Sequence, residues 1–282
     1  MTEASIWPNF FIVGAAKSGT TSLYTWLQQH PDVYMSPTKE PHFFSRDVIR
    51  TPLHVVRKTE EYLALFSEAA GYRAIGEASA SYFASWKVVP ERIKQTIPNA
   101  RIIILLRDPV ERAYSDYLMY FRRGQESRSF LDALKNSELR YIYIQTYTEA
   151  VQKYLQVFGT EKVLILMFQE LKTNPIQLIR KVTRFLLLSE GNLESIDTSH
   201  ENLGAVPRGK LATSLFALRW KYFYDIPPVL KPWLDFLRRF FVAPKPPLDS
   251  ESVAFLRPIF EKDIDQLEQL LGQDFPELRK VW

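Results

Sequence analysis

Three short stretches of the chain carry residue types and spacings that can do chemistry. The first is Gly14-Ala15-Ala16-Lys17-Ser18-Gly19-Thr20-Thr21-Ser22. Small residues let a backbone curl until several N–H groups point at one centre, and the positive end of a following helix adds to the same field. That is a cradle for a phosphate-like anion, with Ala16, Lys17, Ser18, Gly19, Thr20, Thr21 and Ser22 as the candidate binding residues. Gly14 and Gly19 have the spacing of the nucleotide P-loop, Gly-x-x-x-x-Gly-Lys-Ser/Thr. Thr20, however, stands at the lysine position, and the lysine is Lys17, inside the loop. The displaced lysine argues against γ-phosphate chemistry and leaves phosphate binding in place. A plain βα turn with a hydroxyl cap is the bland alternative.

The second stretch is Arg107-Asp108-Pro109-Val110-Glu111-Arg112-Ala113-Tyr114-Ser115. Pro109 suits the first turn of a helix. Arg107 would then stand at the carboxyl end of a strand, where open α/β sheets bind ligands. A guanidinium grips phosphate bidentately, and the Ser115 hydroxyl, two turns into the helix, can complete the grip. A salt-bridged helix start explains these residues equally well. The third stretch is Lys39-Glu40-Pro41-His42-Phe43-Phe44. Glu40 and His42 are two apart and share a face if the segment is extended. A carboxylate beside a ring-lined pocket can have its pKa raised and serve as a base toward an alcohol. Glu40 is the candidate base, with His42 orienting it or sharing the role; pairing of Glu40 with Lys39 or Lys17 is the structural alternative. His30 reads as a helix-end residue, and His54 and His200 carry no supporting pattern.

The elements that must position these residues follow from hydropathy. Apolar runs at 10–13, 74–75, 101–106 and 163–167 read as buried strands. Continuous apolar runs suit parallel strands covered on both faces. Helical periodicity fills about 18–29, 59–70, 110–123, 130–158 and 175–187, then 210–222, 229–241 and 250–271. The alternation predicts an α/β fold: one domain with a central parallel sheet flanked by helices, a P-loop-like first turn and a helical C-terminal cap. Residues 8–212 form the core in this reading, and 213–282 the cap or an acceptor lid.

Composition bounds the rest. The chain has 282 residues, 46% hydrophobic and 24% charged, which is globular rather than disordered. It has no cysteine, which excludes disulfides, thiolate-ligated metals and thiol catalysis. No apolar run reaches the roughly 18 residues of a membrane span, and the N-terminus has no signal-peptide pattern. A cytoplasmic protein is the expectation. The net charge is +4, yet residues 205–245 alone carry +6. This concentration suits an anionic ligand or a solvated helical face, and does not call for nucleic acid. Within it, residues 216–241 interleave nine aromatic side chains with basic ones. A structural cap, a lid over the acceptor and peripheral membrane contact are the three readings of that segment.

Together, and in this order, the three stretches resemble the PAPS-dependent sulfotransferase family, PAPS being 3′-phosphoadenosine 5′-phosphosulfate. Residues 11–21 are similar to its 5′-phosphosulfate loop, Arg107 to Ser115 to its 3′-phosphate motif, and 39–44 to the catalytic segment of the heparan sulfate branch and its bacterial relatives. Residues 163–168, Glu170-Leu171 and Asn174-Pro175 resemble the strand and acidic turn that follow. The resemblance covers about residues 8–212. It implies PAPS as donor, the 3′,5′-bisphosphate PAP as product, no metal, and a late basic loop in which Arg208, Gly209 and Lys210 hold the 3′-phosphate. It also implies Lys17, Glu40 and His42 as catalytic residues and a hydroxyl acceptor, most plausibly on a carbohydrate. One departure matters: the branch carries Glu-Lys-Ser/Thr-Pro-x-Tyr, whereas this chain reads Glu77-Ala78-Ser79-Ala80-Ser81-Tyr82, so the second lysine is Ala78. Glu77 is expected to face the cleft or to hold Lys17 or an arginine. A lipid, a small alcohol or a carrier-bound acyl chain are alternative acceptors; a P-loop kinase and a catalytically silent adaptor are the alternatives outside the class.

Overall fold

Phe10-Phe11-Ile12-Val13 forms β1 (Phe10–Gly14), and every residue of it is buried. The remaining sheet strands are β2 (Val33–Met35), β3 (Ala74–Ala78), β4 (Arg101–Leu106) and β5 (Val163–Met167). The computed structural model describes residues 5–49, 55–136, 146–191, 193–199, 206–207, 242–243 and 245–281. Its helices are α1 (Thr20–Leu27), α2 (Thr59–Ala64), α3 (Ser81–Ala84), α4 (Val89–Thr96), α5 (Pro109–Arg122), α6 (Phe130–Asn136), α7 (Thr148–Phe158), α8 (Phe168–Thr173), α9 (Pro175–Phe185) and α10 (Ser250–Leu271). Among the described residues no helix is long and apolar enough to cross a membrane.

The backbone divides into two units. The first (Met1–Asp108, Thr146–Glu201 and Asp263–Lys280) holds a five-stranded parallel sheet in the order β2-β3-β1-β4-β5. Its register pairs Phe10 with Gly76 and Arg101, and Ile102 with Val163. The period of two divides the strand side chains between the faces. Phe10, Ile12, Ile103, Leu105 and Leu166 pack with Leu23, Trp26 and Leu27 of α1 and Leu178, Ile179 and Val182 of α9. Phe11 turns the other way, edge-on to Phe44 at 5.7 Å and tilted against Tyr82 at 6.5 Å. Burying each such side chain stabilises the fold by about 1.5–3 kcal/mol, and these side chains anchor the sheet end that carries the first turn. The second unit (Pro109–Gln145, Asn202–Lys262 and Val281–Trp282) gathers Val110, Tyr114, Tyr117 and Leu118 of α5, Phe130 and Leu134 of α6, and Leu256 and Phe260 of α10 into its own core. There β6 (Val206–Pro207) pairs antiparallel with β7 (Val242–Ala243).

The four expected strands are present; β2, three residues long, is too short to leave an apolar run. Among the described residues, the helix expected over 130–158 is represented by α6 and α7, with non-helical residues at 146–147; 137–145 lie outside the described residues. The helices expected at 210–222 and 229–241, and the whole aromatic–basic stretch 216–241, also lie outside them.

Candidate active site

The first turn leaves the sheet where the strand order reverses. The chain passes from β1 to β2 on one side, and β4 lies on the other, which is where open α/β sheets place ligands. The Ala15 N–H donates to the Leu105 carbonyl at 2.8 Å, so the turn is pinned against β4. Gly14 is required by space: a Cβ there would lie 2.5 Å from Phe83 Cβ. Gly19 is required by conformation, with φ 91° immediately before α1, and its Cβ would come within 2.8 Å of Leu171 Cδ1. Lys17 itself is left-handed at φ 66°. Among the described residues no protein acceptor exists for the amide N–H groups of Ala16, Gly19, Thr20 and Thr21. Ser18 Oγ is buried there without a hydrogen-bond partner. A buried donor left unsatisfied is costly, and an anion seated on the turn satisfies the Ser18 hydroxyl together with the open amides. The turn therefore fits a phosphate-like anion.

The base segment reaches the same end of the sheet. The Glu40 N–H donates to the Ala78 carbonyl at the end of β3 at 2.9 Å. Lys39 Nζ pairs with Glu40 Oε1 at 2.9 Å, and His42 Nε2 lies 3.7 Å from Glu40 Oε2. The expected extended segment is absent. Glu40 and His42 have φ 61° and 58°, and His42 leads into a 3₁₀ turn at Phe43–Ser45, so two left-handed residues rather than strand alternation bring the pair together. The expectation of a raised Glu40 pKa is also overturned. Burial acts to raise it, but the Lys39 charge and hydrogen bond, then His42 and Lys17, outweigh burial and hold the carboxyl below its ordinary value. The pairing with Lys39 thus exists alongside the position beside Lys17. Burial lowers the His42 imidazole, Glu40 acts to raise it, Lys39 lowers it, and the balance is below the ordinary value. His42 Nδ1 lies 2.7 Å from Ser81 Oγ, which lies 3.0 Å from Ser45 Oγ.

Arg107 follows β4 as expected. Its guanidinium donates to the Lys17 carbonyl at 3.2 Å and stacks 4.4 Å from the Phe168 ring, so it borders the turn. Ser115 is half-buried on α5, in the second unit, where Arg112 is buried. Arg208, Gly209 and Lys210 lie outside the described residues, as do His54 and His200. His30 is a satisfied helix-end residue: its Nδ1 accepts from the Asp32 N–H at 3.1 Å, and its Nε2 lies 3.3 Å from the Ser189 carbonyl.

Glu77 departs from expectation. It neither faces a cleft nor holds Lys17 or an arginine; it is fully buried and accepts from Ser79 Oγ at 2.6 Å, Tyr82 OH at 3.1 Å and Tyr62 OH. Burial pushes its carboxyl up to about 7, against the lowering effect of those hydroxyls. Sequence reasoning missed Ser45, Ser79, Ser81, Tyr62 and Tyr82. The available signal was the polar alternation of Glu77, Ser79 and Ser81 at the end of an apolar strand.

Comparison with known proteins accords with this geometry. The sulfotransferase domain family matches residues 8–203. Human carbohydrate sulfotransferase 15 is 33% identical, over 64% of this chain and 44% of its own length. Human bifunctional heparan sulfate N-deacetylase/N-sulfotransferase 3 is 28% identical, over 97% of this chain and 32% of that protein. The chain thus spans less than half the length of these curated relatives. The crystal structure of a sulfotransferase from Alicyclobacillus acidocaldarius shares the fold with a TM-score of 0.71 and 32% identity, covering 97% of this chain and 99% of that one. A turn after β1 that fits an anion, an arginine after β4 that borders it, a carboxylate at the end of β3 and these matches converge: the chain belongs to the sulfotransferase family.

Proposed function

We propose that this chain transfers the sulfuryl group of PAPS to a hydroxyl of a carbohydrate acceptor. The observation that carries the reading is the placing of the Glu40 carboxylate under the influence of both Lys17 and His42, beside a turn with unpaired amides. The names of the carbohydrate and heparan sulfate relatives support the acceptor class. When bound, PAPS supplies the sulfuryl group and a leaving phosphate on which negative charge grows. Lys17 Nζ and the amides of Ala16, Gly19, Thr20 and Thr21 hold that end and favour the growing charge, with the Ser18, Thr20, Thr21 and Ser22 hydroxyls as further donors. The resemblance to the family assigns Arg107 to the 3′-phosphate, with Ser115, Arg208, Gly209 and Lys210 as the further candidates.

Glu40 takes the acceptor proton. Its lowered pKa keeps it ionised throughout the neutral range, and the nearby Lys39 supplies a cation that Ala78 does not. Ser45 Oγ donates to the His42 carbonyl at 3.2 Å. It then accepts from Ser81, which accepts from His42 Nδ1–H. That direction of donation leaves the lone pair of the neutral ring on Nε2, toward Glu40, where it can share the proton. The test is transfer of label from [³⁵S]PAPS to desulfated chondroitin or heparosan. The full chain labels the polysaccharide, and Glu40→Gln does not, while PAP binding by calorimetry is unchanged. Equal labelling by the variant overturns the assignment of the base.

A further inference from the structure

Glu77 has a second layer of partners. Ser79 Oγ, which donates to Glu77 Oε1, also accepts from the His42 N–H at 3.2 Å. Tyr82 OH, which donates to Glu77 Oε2, also accepts from the Phe44 N–H at 3.1 Å. Each hydroxyl owns one proton. Given to the carboxylate, that proton leaves only lone pairs for the two amides, so the carboxylate fixes the direction of both chains. A side chain at 77 with a proton of its own to give forces a hydroxyl to turn its proton elsewhere in a dry core. The backbone held in this way includes His42 at φ 58°, two residues from Glu40 at φ 61°. Non-glycine residues keep such conformations only where their surroundings over-determine them. The titratable groups facing Glu77 are Tyr62 from α2, Tyr82 from α3 and Tyr154 from α7, and none of them brings a positive charge.

We propose that Glu77 is a positioning residue for sulfuryl transfer: through Ser79 and Tyr82 its carboxylate holds the His42 and Phe44 amides, and with them the Glu40–His42 pair, in the geometry that takes the acceptor proton. The inference rests on the reading of Glu40 as base. Above about pH 7 the Glu77 carboxyl is ionised in the core without a counter-ion, which a purely structural carboxyl does not need.

The test is residue-resolved amide hydrogen exchange on the full chain at pH 8, with kinetics of [³⁵S]PAPS transfer to desulfated chondroitin. In Glu77→Gln, exchange at both His42 and Phe44 is expected to quicken at least tenfold. In Ser79→Ala only His42 quickens, and in Tyr82→Phe only Phe44, so the pattern is readable from the milder variants if Glu77→Gln folds poorly. kcat of Glu77→Gln falls tenfold or more, while PAP affinity and the KM for PAPS stay within twofold. Unchanged exchange at both amides overturns the inference, and so does a loss of PAP affinity matching the loss of kcat. Glu40→Gln is measured in parallel. Full turnover there removes the base assignment and the catalytic half of the inference, whereas the exchange pattern alone decides whether Glu77 holds the segment.

Discussion

Glu77 makes stability depend on pH in a way that can be calculated. Its carboxyl lies at about 7 in the folded protein against 4.5 for an ordinary glutamate, because burial disfavours the charge more than the three hydroxyls favour it. The folded-state value is the higher one, so the stability contributed by the protonated form is fully present below about pH 4.5 and is lost as the pH rises through about 7. At about 1.4 kcal/mol per pKa unit the whole effect is about 3 kcal/mol, most of which falls between pH 5 and pH 8. That is a large share of the roughly 5–15 kcal/mol that holds a typical domain folded. Glu77→Gln mimics the neutral carboxyl and removes the titration. Urea unfolding of both proteins at pH 5, 6, 7 and 8 is the assay. The wild type loses about 3 kcal/mol of stability across that range, and the variant loses little of it. A variant that stays folded at pH 8 and is yet slower in turnover separates positioning from support of the fold. Parallel pH profiles for the two proteins would refute the reasoning.

Three further outcomes follow from the same geometry. Lys39→Ala removes the main opponent of burial at Glu40, so that carboxyl rises and the acid limb of the kcat/KM profile, where Glu40 gains its proton, moves to higher pH; a limb that stays in place excludes Glu40 as the titrating base. Gly19→Ala puts a Cβ 2.8 Å from Leu171 at φ 91°, strain of about 1–3 kcal/mol. Calorimetry should then show PAP affinity reduced by about tenfold or more, and affinity within twofold of wild type removes the turn from the binding site. Arg107→Ala should weaken PAP at least ten times more than adenosine 5′-phosphate, and equal weakening of the two ligands contradicts its assignment to the 3′-phosphate.

The fold was legible because its strands are buried on both faces. Runs such as Arg101–Leu106 and Val163–Met167 have few readings other than core strands of a parallel sheet. The anion turn was legible because Gly14, Lys17 and Gly19 act through the backbone, at fixed spacing, on a short piece of chain. The surroundings of the base were not. Ser81 meets His42 across 39 positions and Tyr62 meets Glu77 across 15, contacts that only the sheet register creates. Nor does the sequence print left-handed backbone at Glu40 and His42, since neither residue type is glycine. The sign of the Glu40 shift was misjudged for the same reason: Phe43 and Phe44 were visible as neighbours, but whether Lys39 would turn toward the carboxylate was not.

What brings the turn and the base segment to one place is a single strand pair. Ile12 of β1 faces Ala78 of β3 in register, and the Ser79 N–H donates to the Ile12 carbonyl at 3.1 Å. One strand then runs on into Gly14 and Lys17. The other offers the Ala78 carbonyl to the Glu40 N–H and the Ser79 hydroxyl to the His42 N–H. Three left-handed residues, Lys17, Glu40 and His42, each cost about 1–3 kcal/mol when not glycine, and the two strand ends are the structure that sustains them. A one-residue slip between β1 and β3 would reverse the faces of their side chains and carry Glu40 away from Lys17. Phe10 and Phe11, packed against opposite layers, forbid that slip. The register that makes the core therefore also sets the distance over which base and lysine act on each other.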